Sequence, residues 1–305
     1  MSTEYIHFTT AQKEAARQTD LVALLQSQGE LLKRSGKEYV WRDGSEKVTV
    51  RGNLWFHQYE RIGGDAVDFV RRFYNMDFPQ AVNFLLGNNG GALPQAEPVK
   101  REPPKPFTLP PKNDNMRRVY AYLLNRRGID REVLSAFVHK GMIYESADYH
   151  NAVFVGYDEH GIARHAHKRG TGSESTYKGN AESCDPRYSF HWTGTDNALY
   201  LFEAPIDMLS FISLHKENWR SHSYAAACCV GDQVLWQMMK DNPHIEKVYL
   251  CLDNDKPGQQ AAERIIGKLV EKGIPSEILT PTLKDWNEDL LFTEQEEKPC
   301  QTLQL

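Results

Sequence analysis

Hydrophobic and polar positions follow different periods along this chain, and the pattern changes near residue 198. From there onward, short apolar runs alternate with amphipathic helical segments. The runs "ALYLFEA", "SYAAACCVG", "KVYLCLDND" and "PSEILTP" each precede a helix-like stretch. Strands that alternate with helices predict a parallel sheet covered by helices. The C-terminal third of the chain is therefore predicted to be an α/β domain.

The N-terminal residues show helical and strand-like periods in turn. Leucines at helical spacing predict one helix over residues 9–34. The stretch "KVTVRGNLWFHQ" predicts two short antiparallel strands that turn at Gly52 and Asn53. Two amphipathic helices follow in "GGDAVDFVRRFYNMDFPQAVNFLLG". We therefore predict a small α+β domain over residues 1–88.

A Pro- and Gly-rich stretch separates this domain from a second unit. Residues 89–115 have little apolar periodicity and are predicted to be a linker. Beyond them, "MRRVYAYLLNRRGIDREVLSAFVHKG" predicts two helices separated at Gly128, and "NAVFVGYDEHGIARHAHKR" predicts a hairpin. The predicted domains that follow the linker are residues 116–197 and 198–305.

Composition limits the class of protein. The 305 residues carry a net charge of −5 and contain no apolar run of the roughly 18 residues that a bilayer span needs. The N-terminus lacks the order of a signal peptide, so we expect a cytoplasmic location and no membrane partner. The five cysteines form no C-x-x-C pair, and we expect buried thiols in a reducing compartment rather than a zinc site.

Acidic residues follow several predicted strands of the C-terminal sheet. Glu203 follows the first strand, Asp253 and Asp255 follow the third, and "KDWNEDL" follows the fourth. In an open parallel sheet, ligands bind outside the carboxyl ends of the strands. Carboxylates that converge there repel one another by several kcal/mol at about 4 Å, at an effective dielectric near 20. Mg²⁺ prefers carboxylate oxygens, so the pattern predicts a magnesium site.

These motifs resemble the Toprim domain of DnaG-type primases, type IA and II topoisomerases and certain nucleases. The resemblance implies that Glu203, Asp253 and Asp255 are catalytic and hold Mg²⁺ or Mn²⁺. It also implies that Asp207 and Asp285 are metal ligands. The chain departs from the family at Asn287, which replaces the second acid of the last motif. That departure puts a second metal in question.

The resemblance to DnaG-type primases extends upstream of the Toprim motifs. The helical pair and the strand pair that includes Arg169 resemble the start of the primase core. The N-terminal strands and helices resemble the primase zinc-binding domain without its cysteines. The resemblance implies a zinc-ribbon-like domain that lacks zinc and is held by apolar packing. His57 is interpreted as a packed or surface histidine rather than as a ligand.

The fold class that follows is α/β with α+β N-terminal parts. A Toprim, Rossmann-like parallel sheet is preceded by a primase-like α+β subdomain and the small zinc-ribbon-like domain. Toprim proteins of this kind occur on conjugative plasmids and transposons of Gram-positive bacteria. The resemblance therefore also suggests a mobile element as the setting.

Three functions fit this reading. The first is a Mg²⁺-dependent primase-like nucleotidyltransferase that acts on single-stranded DNA in replication or transfer of a mobile element. The second is a Toprim nuclease in which Glu203 serves as general acid or base. The third is a non-catalytic DNA-binding accessory protein. The first implies single-stranded DNA and nucleotides as partners, together with a mobile-element helicase or relaxase.

Basic residues near the predicted sheet are the candidates for contacts with phosphates. Local basic surfaces can bind phosphates even where the net charge of the chain is acidic. The candidates for nucleotide or nucleic-acid binding are Arg126, Arg127, Arg164, Lys168, Arg169, Lys178 and Lys284.

Overall fold

The structure of the chain is a computed structural model, and it describes residues 8–43, 46–60, 62–87, 105–228 and 231–296. The chain forms two compact units, Met1–Pro103 and Pro104–Leu305. Within the described ranges, none of the helices combines the length and the apolar composition that a membrane span requires. The finer domain bounds drawn from the sequence stay a prediction.

The first unit is a five-stranded antiparallel sheet with four short helices. Its strands pair in sequence order from β1 to β5. The helices are α1 (Thr10–Arg17), α2 (Leu21–Ser27), α3 (Ala66–Phe73) and α4 (Phe78–Leu85), and the strands are β1 (Leu32–Ser35), β2 (Glu38–Asp43), β3 (Glu46–Arg51), β4 (Leu54–His57) and β5 (Gly63–Gly64). The predicted hairpin turn at Gly52 is confirmed, and its φ of 57° suits glycine.

The single helix predicted over residues 9–34 is wrong, because two helices and a strand form there. Thr9 caps α1, and the side chain of Asp20 caps α2 by accepting from the N–H of Ala23 at 2.9 Å. The following residues pair with β2 as β1. Leucine spacing shows which face is buried, but it does not show where a cap interrupts the helix.

Aromatic packing fills the core of the first unit. The ring centroids of Trp41 lie 5.3 Å from Phe69 and 5.2 Å from Phe73, and Trp55 lies 5.2 Å from Phe73. All but Phe73 are buried. Rings at this spacing bury large apolar areas and add edge-to-face contacts. The indole of Trp41 also donates to Glu30 at 2.9 Å, which pairs its polar atom.

The second unit contains two sheets that share one apolar core. Its helices are α5 (Arg117–Tyr120), continued by a π-helix (Ala121–Arg126), α6 (Arg131–His139), α7 (Pro205–Leu214), α8 (Gln233–Asp241), α9 (Lys256–Glu271) and α10 (Trp286–Glu296). Its strands are β6 (Ile143–Glu145), β7 (Ala152–Tyr157), β8 (Ala163–Arg169), β9 (Lys178–Asn180), β10 (His191–Trp192), β11 (Ala198–Phe202), β12 (Ser223–Ala226), β13 (Lys247–Cys251) and β14 (Ser276–Ile278).

The strand order confirms the predicted fold class. Strands β6 to β9 form an antiparallel sheet, and the second sheet has the order β10-β12-β11-β13-β14. In this second sheet, strands β12, β11, β13 and β14 run parallel, and β10 pairs with β12 in the antiparallel direction. Buried residues of both sheets, such as Phe154 and Phe202, belong to one core together with Phe137 and Trp286.

Part of the predicted linker packs on the second unit. Tyr144 donates its hydroxyl proton to the carbonyl of Pro110 at 2.6 Å, and the N–H of Asn113 donates to the carbonyl of Glu145 at 2.8 Å. The described residues 105–115 therefore follow the edge of the antiparallel sheet. Residues 89–104 lie outside the described ranges.

Candidate metal centre

The acidic residues of the second unit meet at the carboxyl edge of the parallel sheet. Strands β11 and β13 are neighbours, and Phe202 pairs with Cys251 in their register. Glu203 directly follows Phe202, and Asp253 lies two residues after Cys251. The register therefore brings together two of the carboxylates that the sequence predicts to share a site.

The turn after β13 shapes the second acidic position. Asp255 caps α9, and its carboxylate accepts from the N–H of Gly258 at 2.9 Å. A Cβ atom on Gly258 would overlap the carbonyl oxygen of Asp253. Only glycine therefore allows the backbone of the helix to approach the strand so closely. Pro257 occupies the first turn, where its missing N–H costs nothing.

Two further carboxylates come from helix starts. Asp207 lies in the first turn of α7 and is buried. Asp285 precedes α10, and its carboxylate accepts from the N–H of Glu288 at 2.8 Å. The loop of Asp285 is fixed to the turn after β13, because the N–H of Asn254 donates to the carbonyl of Lys284 at 2.8 Å.

These side chains line a cleft of about 180 Å³. Its carboxylates are Glu203, Asp207, Asp253 and Asp285, and its cations are Arg127, Arg169, Lys178 and Lys284. Asp255 lies next to this group and is near enough to raise the pKa of Glu203 and Asp253. The cleft therefore brings four carboxylates and four cations together.

The carboxylates disfavour one another's ionisation. Burial, followed by the charges of Glu203 and Asp285, raises the pKa of Asp253 to about 7. Burial and the charge of Asp253 raise the pKa of Asp207 well above its usual range. Burial also raises the pKa of Glu203, against the opposing effect of Lys178. Perturbed carboxylates that share a cleft are typical of functional sites.

The donor set fits a divalent cation. Oδ1 of Asp253 is buried, and no described residue donates a hydrogen bond to it. An unpaired buried oxygen costs free energy that a cation would recover. Glu203, Asp207, Asp253 and Asp285 line the cleft and could hold such an ion, whereas Asp255 lies next to them and caps α9; which of them are ligands stays a prediction.

The seven basic candidates from the sequence separate into two groups. Arg127, Arg169, Lys178 and Lys284 line the cleft. Arg164 instead pairs with Asp158 at 2.7 Å, and Arg126 donates to the carbonyl of Gly172 at 2.9 Å. Lys168 follows His167 on β8, so its side chain leaves the opposite face of the strand. These three residues lie outside the cleft lining.

A hydrogen-bonded network that the sequence did not predict orients Arg127. Its Nη1 donates to Oδ1 of Asn287 at 2.9 Å, and its Nε donates to the hydroxyl of Tyr122 at 2.9 Å. Nδ2 of Asn287 donates to the carbonyl of Arg127 at 2.8 Å and to the hydroxyl of Ser210 at 3.0 Å. The residue interpreted as a lost acid is therefore a buried positioning residue for Arg127.

A local helix distortion accompanies this network. Tyr122 lies within the π-helix, and Arg127 directly follows it. Such segments are frequent at functional sites. The motif "AYLLNRRG" carries no signal in its hydrophobic period that predicts the extra residue per turn. His167 also lines the cleft and is not among the predicted site residues, although it lies two residues before Arg169 on the same face of β8.

The first unit contains a separate cluster of Glu46, His57 and Glu60, whose possible ligand atoms lie within 4.8 Å of one another. The N–H of Glu60 donates to Nδ1 of His57 at 3.0 Å, so Nδ1 keeps its lone pair and Nε2 carries the proton. Nε2 then donates to Glu46. With both ring nitrogens engaged, His57 offers no lone pair to a zinc ion. The absence of zinc nevertheless stays a prediction.

Two family models match the second unit. Residues 121–196 match a family described as "Protein of unknown function (DUF3991)", and residues 200–290 match a family described as "Toprim-like". The second match confirms that the carboxylate motifs belong to a Toprim-like domain.

Curated relatives give no activity. The chain is similar to the uncharacterized protein pXO2-78 of Bacillus anthracis, with 25% identity over 87% of this chain and 81% of that protein. It is also similar to the uncharacterized protein MG010 of Mycoplasma genitalium, with 29% identity over 32% of this chain and 43% of that protein.

Solved primase structures are similar at low identity. The zinc-binding and RNA polymerase domains of the Aquifex aeolicus primase are 16% identical, with 95% of this chain and 84% of that chain covered and a TM-score of 0.39. The primase fragment of the bacteriophage T7 primase-helicase is 18% identical, with 57% and 70% covered and a TM-score of 0.43.

Proposed function

We propose that this chain is a Mg²⁺-dependent, primase-like nucleotidyltransferase that acts on single-stranded DNA. The observation that carries the proposal is the set of charges in the cleft, which four carboxylates and four cations line together. Phosphoryl transfer needs a metal ion and positively charged side chains around the phosphates. The cleft of a Toprim-like domain supplies residues for both.

The carboxylates and the cations of the cleft have different roles in this proposal. Glu203, Asp253 and Asp255 would hold the metal, supported by Asp207 and Asp285. A bound Mg²⁺ or Mn²⁺ would neutralise the charge that develops on the transferred phosphoryl group. The four cations would bind and orient the triphosphate, and the planar guanidinium of Arg127 suits two phosphate oxygens at once.

A Toprim nuclease is the second candidate function. Burial raises the pKa of Glu203, which favours the protonated carboxyl group that a general acid needs. The same cleft would then bind the DNA backbone rather than a nucleotide.

The biological setting is proposed on the sequence resemblance alone. We place the chain in the replication or transfer of a mobile element in the cytoplasm. Its partners would be single-stranded DNA, nucleotides and a helicase or relaxase of that element.

One assay separates these functions. The full chain is incubated with single-stranded DNA, labelled nucleotides and Mg²⁺ or Mn²⁺, in parallel with Glu203→Gln. The control is Asp241→Asn, which changes an exposed acid of α8 outside the cleft lining. We expect metal-dependent extension by the wild type and the control but not by Glu203→Gln. Shortened DNA would indicate the nuclease, and DNA binding with neither product would indicate an accessory protein.

A further inference from the structure

His167 lines the cleft, but the proposed function gives it no role. It lies on β8, where it pairs with Phe154 of β7 on one side and with Asn180 of β9 on the other. Its side chain is 3% exposed. Because residues alternate along a strand, His167 leaves the same face of β8 as Arg169. The histidine therefore stands beside one of the cations that would bind phosphate.

The hydrogen bonds of Asn180 fix the tautomer of His167. Nδ2 of Asn180 donates to the carbonyl of Cys228 at 3.0 Å. A carbonyl only accepts, so the amide nitrogen must face Cys228, and the amide oxygen must face Nδ1 of His167 at 2.8 Å. That oxygen also only accepts, so Nδ1 carries the proton. In a neutral imidazole, Nε2 then keeps its lone pair.

The ring stays neutral at the pH of the cell. Burial lowers the pKa of His167 to about 4, and the charges of Arg169, Lys178 and Lys168 act in the same direction. In the part of the chain that the structure describes, no group donates a hydrogen bond to Nε2. Nδ1 faces Asn180, so the opposite edge of the ring with Nε2 is the part that remains for the cleft.

We propose that Nε2 of His167 accepts a hydrogen bond from a sugar hydroxyl of the nucleotide in the cleft. The inference rests on the proposed function. The charged groups that line the cleft would recognise a metal or phosphates, and charge does not distinguish one sugar from another; the neutral amide of Asn287 is already bonded to Arg127 and Ser210. His167 lies beside Arg169 and Lys178, so a nucleotide whose phosphates bind these two cations would bring its sugar near a neutral acceptor. A buried acceptor built for a hydroxyl disfavours an analogue without it, because the acceptor is then left unpaired.

Nucleotide binding to matched variants tests this inference. The affinities of ATP, 2′-deoxyATP and 3′-deoxyATP are measured by calorimetry with Mg²⁺ for the wild type, His167→Phe and His167→Gln. We expect the wild type to bind ATP about tenfold or more tightly than one of the two analogues. His167→Phe should bind ATP as weakly as that analogue. His167→Gln should keep the preference, because its amide oxygen replaces Nε2 as the acceptor.

The Asn180→Asp variant provides a second reading. A carboxylate beside Nδ1 favours the charged ring, in which Nε2 carries a proton and donates to the hydroxyl instead of accepting from it. Nitrogen-15 NMR of the imidazole shows which ring nitrogens carry protons, and circular dichroism shows whether each variant folds. A wild-type spectrum with the proton on Nε2 would overturn the inference.

The outcomes separate this inference from the proposed function. If the wild type binds all three nucleotides equally, or if His167→Phe keeps the preference, the role of His167 is wrong and the proposed function stands. If the wild type binds none of them, the proposed function is wrong and the role of His167 falls with it.

Discussion

The two units of this chain each contain a cluster of acidic and histidine side chains, and the clusters differ in how their polar atoms are paired. In the first unit, His57 accepts from the N–H of Glu60 and donates to Glu46. In the cleft of the second unit, an oxygen of Asp253 is buried without a described partner, and the pKa of this residue is raised. The first cluster is satisfied by the protein itself, whereas the second leaves a buried oxygen that a bound cation would pair.

The largest effect should come from removing the negative charge of Asp253 in the cleft. We expect Asp253→Asn to lower metal-dependent extension by roughly 10²- to 10³-fold, since one electrostatic group at a reacting centre contributes about that much. Calorimetry with Mn²⁺ should show weaker metal binding in the same variant. Asp241→Asn is the matched control and should behave as the wild type. Unchanged metal binding in Asp253→Asn would mean that the cleft is not a metal site.

A smaller loss should follow when the support of Arg127 is removed. Asn287→Ala leaves the guanidinium of Arg127 without the acceptor that lies 2.9 Å away. We expect nucleotide binding to weaken by roughly ten- to 150-fold, the range of one hydrogen bond to a charged group. Metal affinity should change little, because the bonds of Asn287 go to Arg127 and Ser210.

Asn287→Asp sharpens this prediction. The carboxylate keeps the pair with Nη1 of Arg127 but cannot donate to the carbonyl of that residue. We therefore expect a less stable protein with nucleotide affinity between those of Asn287→Ala and the wild type, measured by thermal unfolding and calorimetry. A gain of metal affinity in Asn287→Asp would show instead that position 287 faces the metal.

The sequence predicts the carboxylates of the cleft better than the hydrogen bonds that orient Arg127 and His167 beside them. Glu203 and Asp253 follow adjacent parallel strands, so strand periodicity alone places them at one edge. Arg127 and Asn287 are separated by 160 residues and are joined by hydrogen bonds. The π-helix that precedes Arg127 leaves no periodic signal in the sequence. The role of His167 depends on a bond from Asn180 to a backbone carbonyl. Such long-range hydrogen bonds depend on packing, and one sequence does not specify them.

The pH dependence of stability isolates the charge of Asp253. Its pKa is about 7 in the folded chain, against 3.8 for an unperturbed Asp, so the folded state holds the proton more tightly. The unfolding free energy of the metal-free chain should therefore fall as pH rises from about 4 to about 7. His167 has the opposite slope, because its pKa is lowered to about 4. His167 is present in both the wild type and Asp253→Asn, so its contribution cancels when the unfolding free energies of the two chains are compared.

We expect Asp253→Asn to be the more stable chain at pH 7 in EDTA, by on the order of 2 to 4 kcal/mol. The difference should shrink toward pH 4, where the Asp253 carboxyl is protonated. Urea titrations at several pH values measure it, and saturating Mg²⁺ should reverse its sign. A difference that does not vary with pH would contradict the raised pKa.

The smallest effects should come from the cluster of Glu46, His57 and Glu60 in the first unit. Glu46→Gln should cost less than about 1 kcal/mol, because the amide oxygen still accepts from Nε2 of His57. His57→Ala should cost about 2 to 3 kcal/mol, since it removes a buried ring and leaves the N–H of Glu60 without its acceptor. A chelator should add nothing to either change, because the hydrogen bonds of His57 leave it no lone pair for a metal. Thermal unfolding of the full chain with and without EDTA measures these effects, and metal analysis of the purified protein provides the check. One zinc ion per chain, lost in His57→Ala, would reverse the assignment and make the two clusters alike.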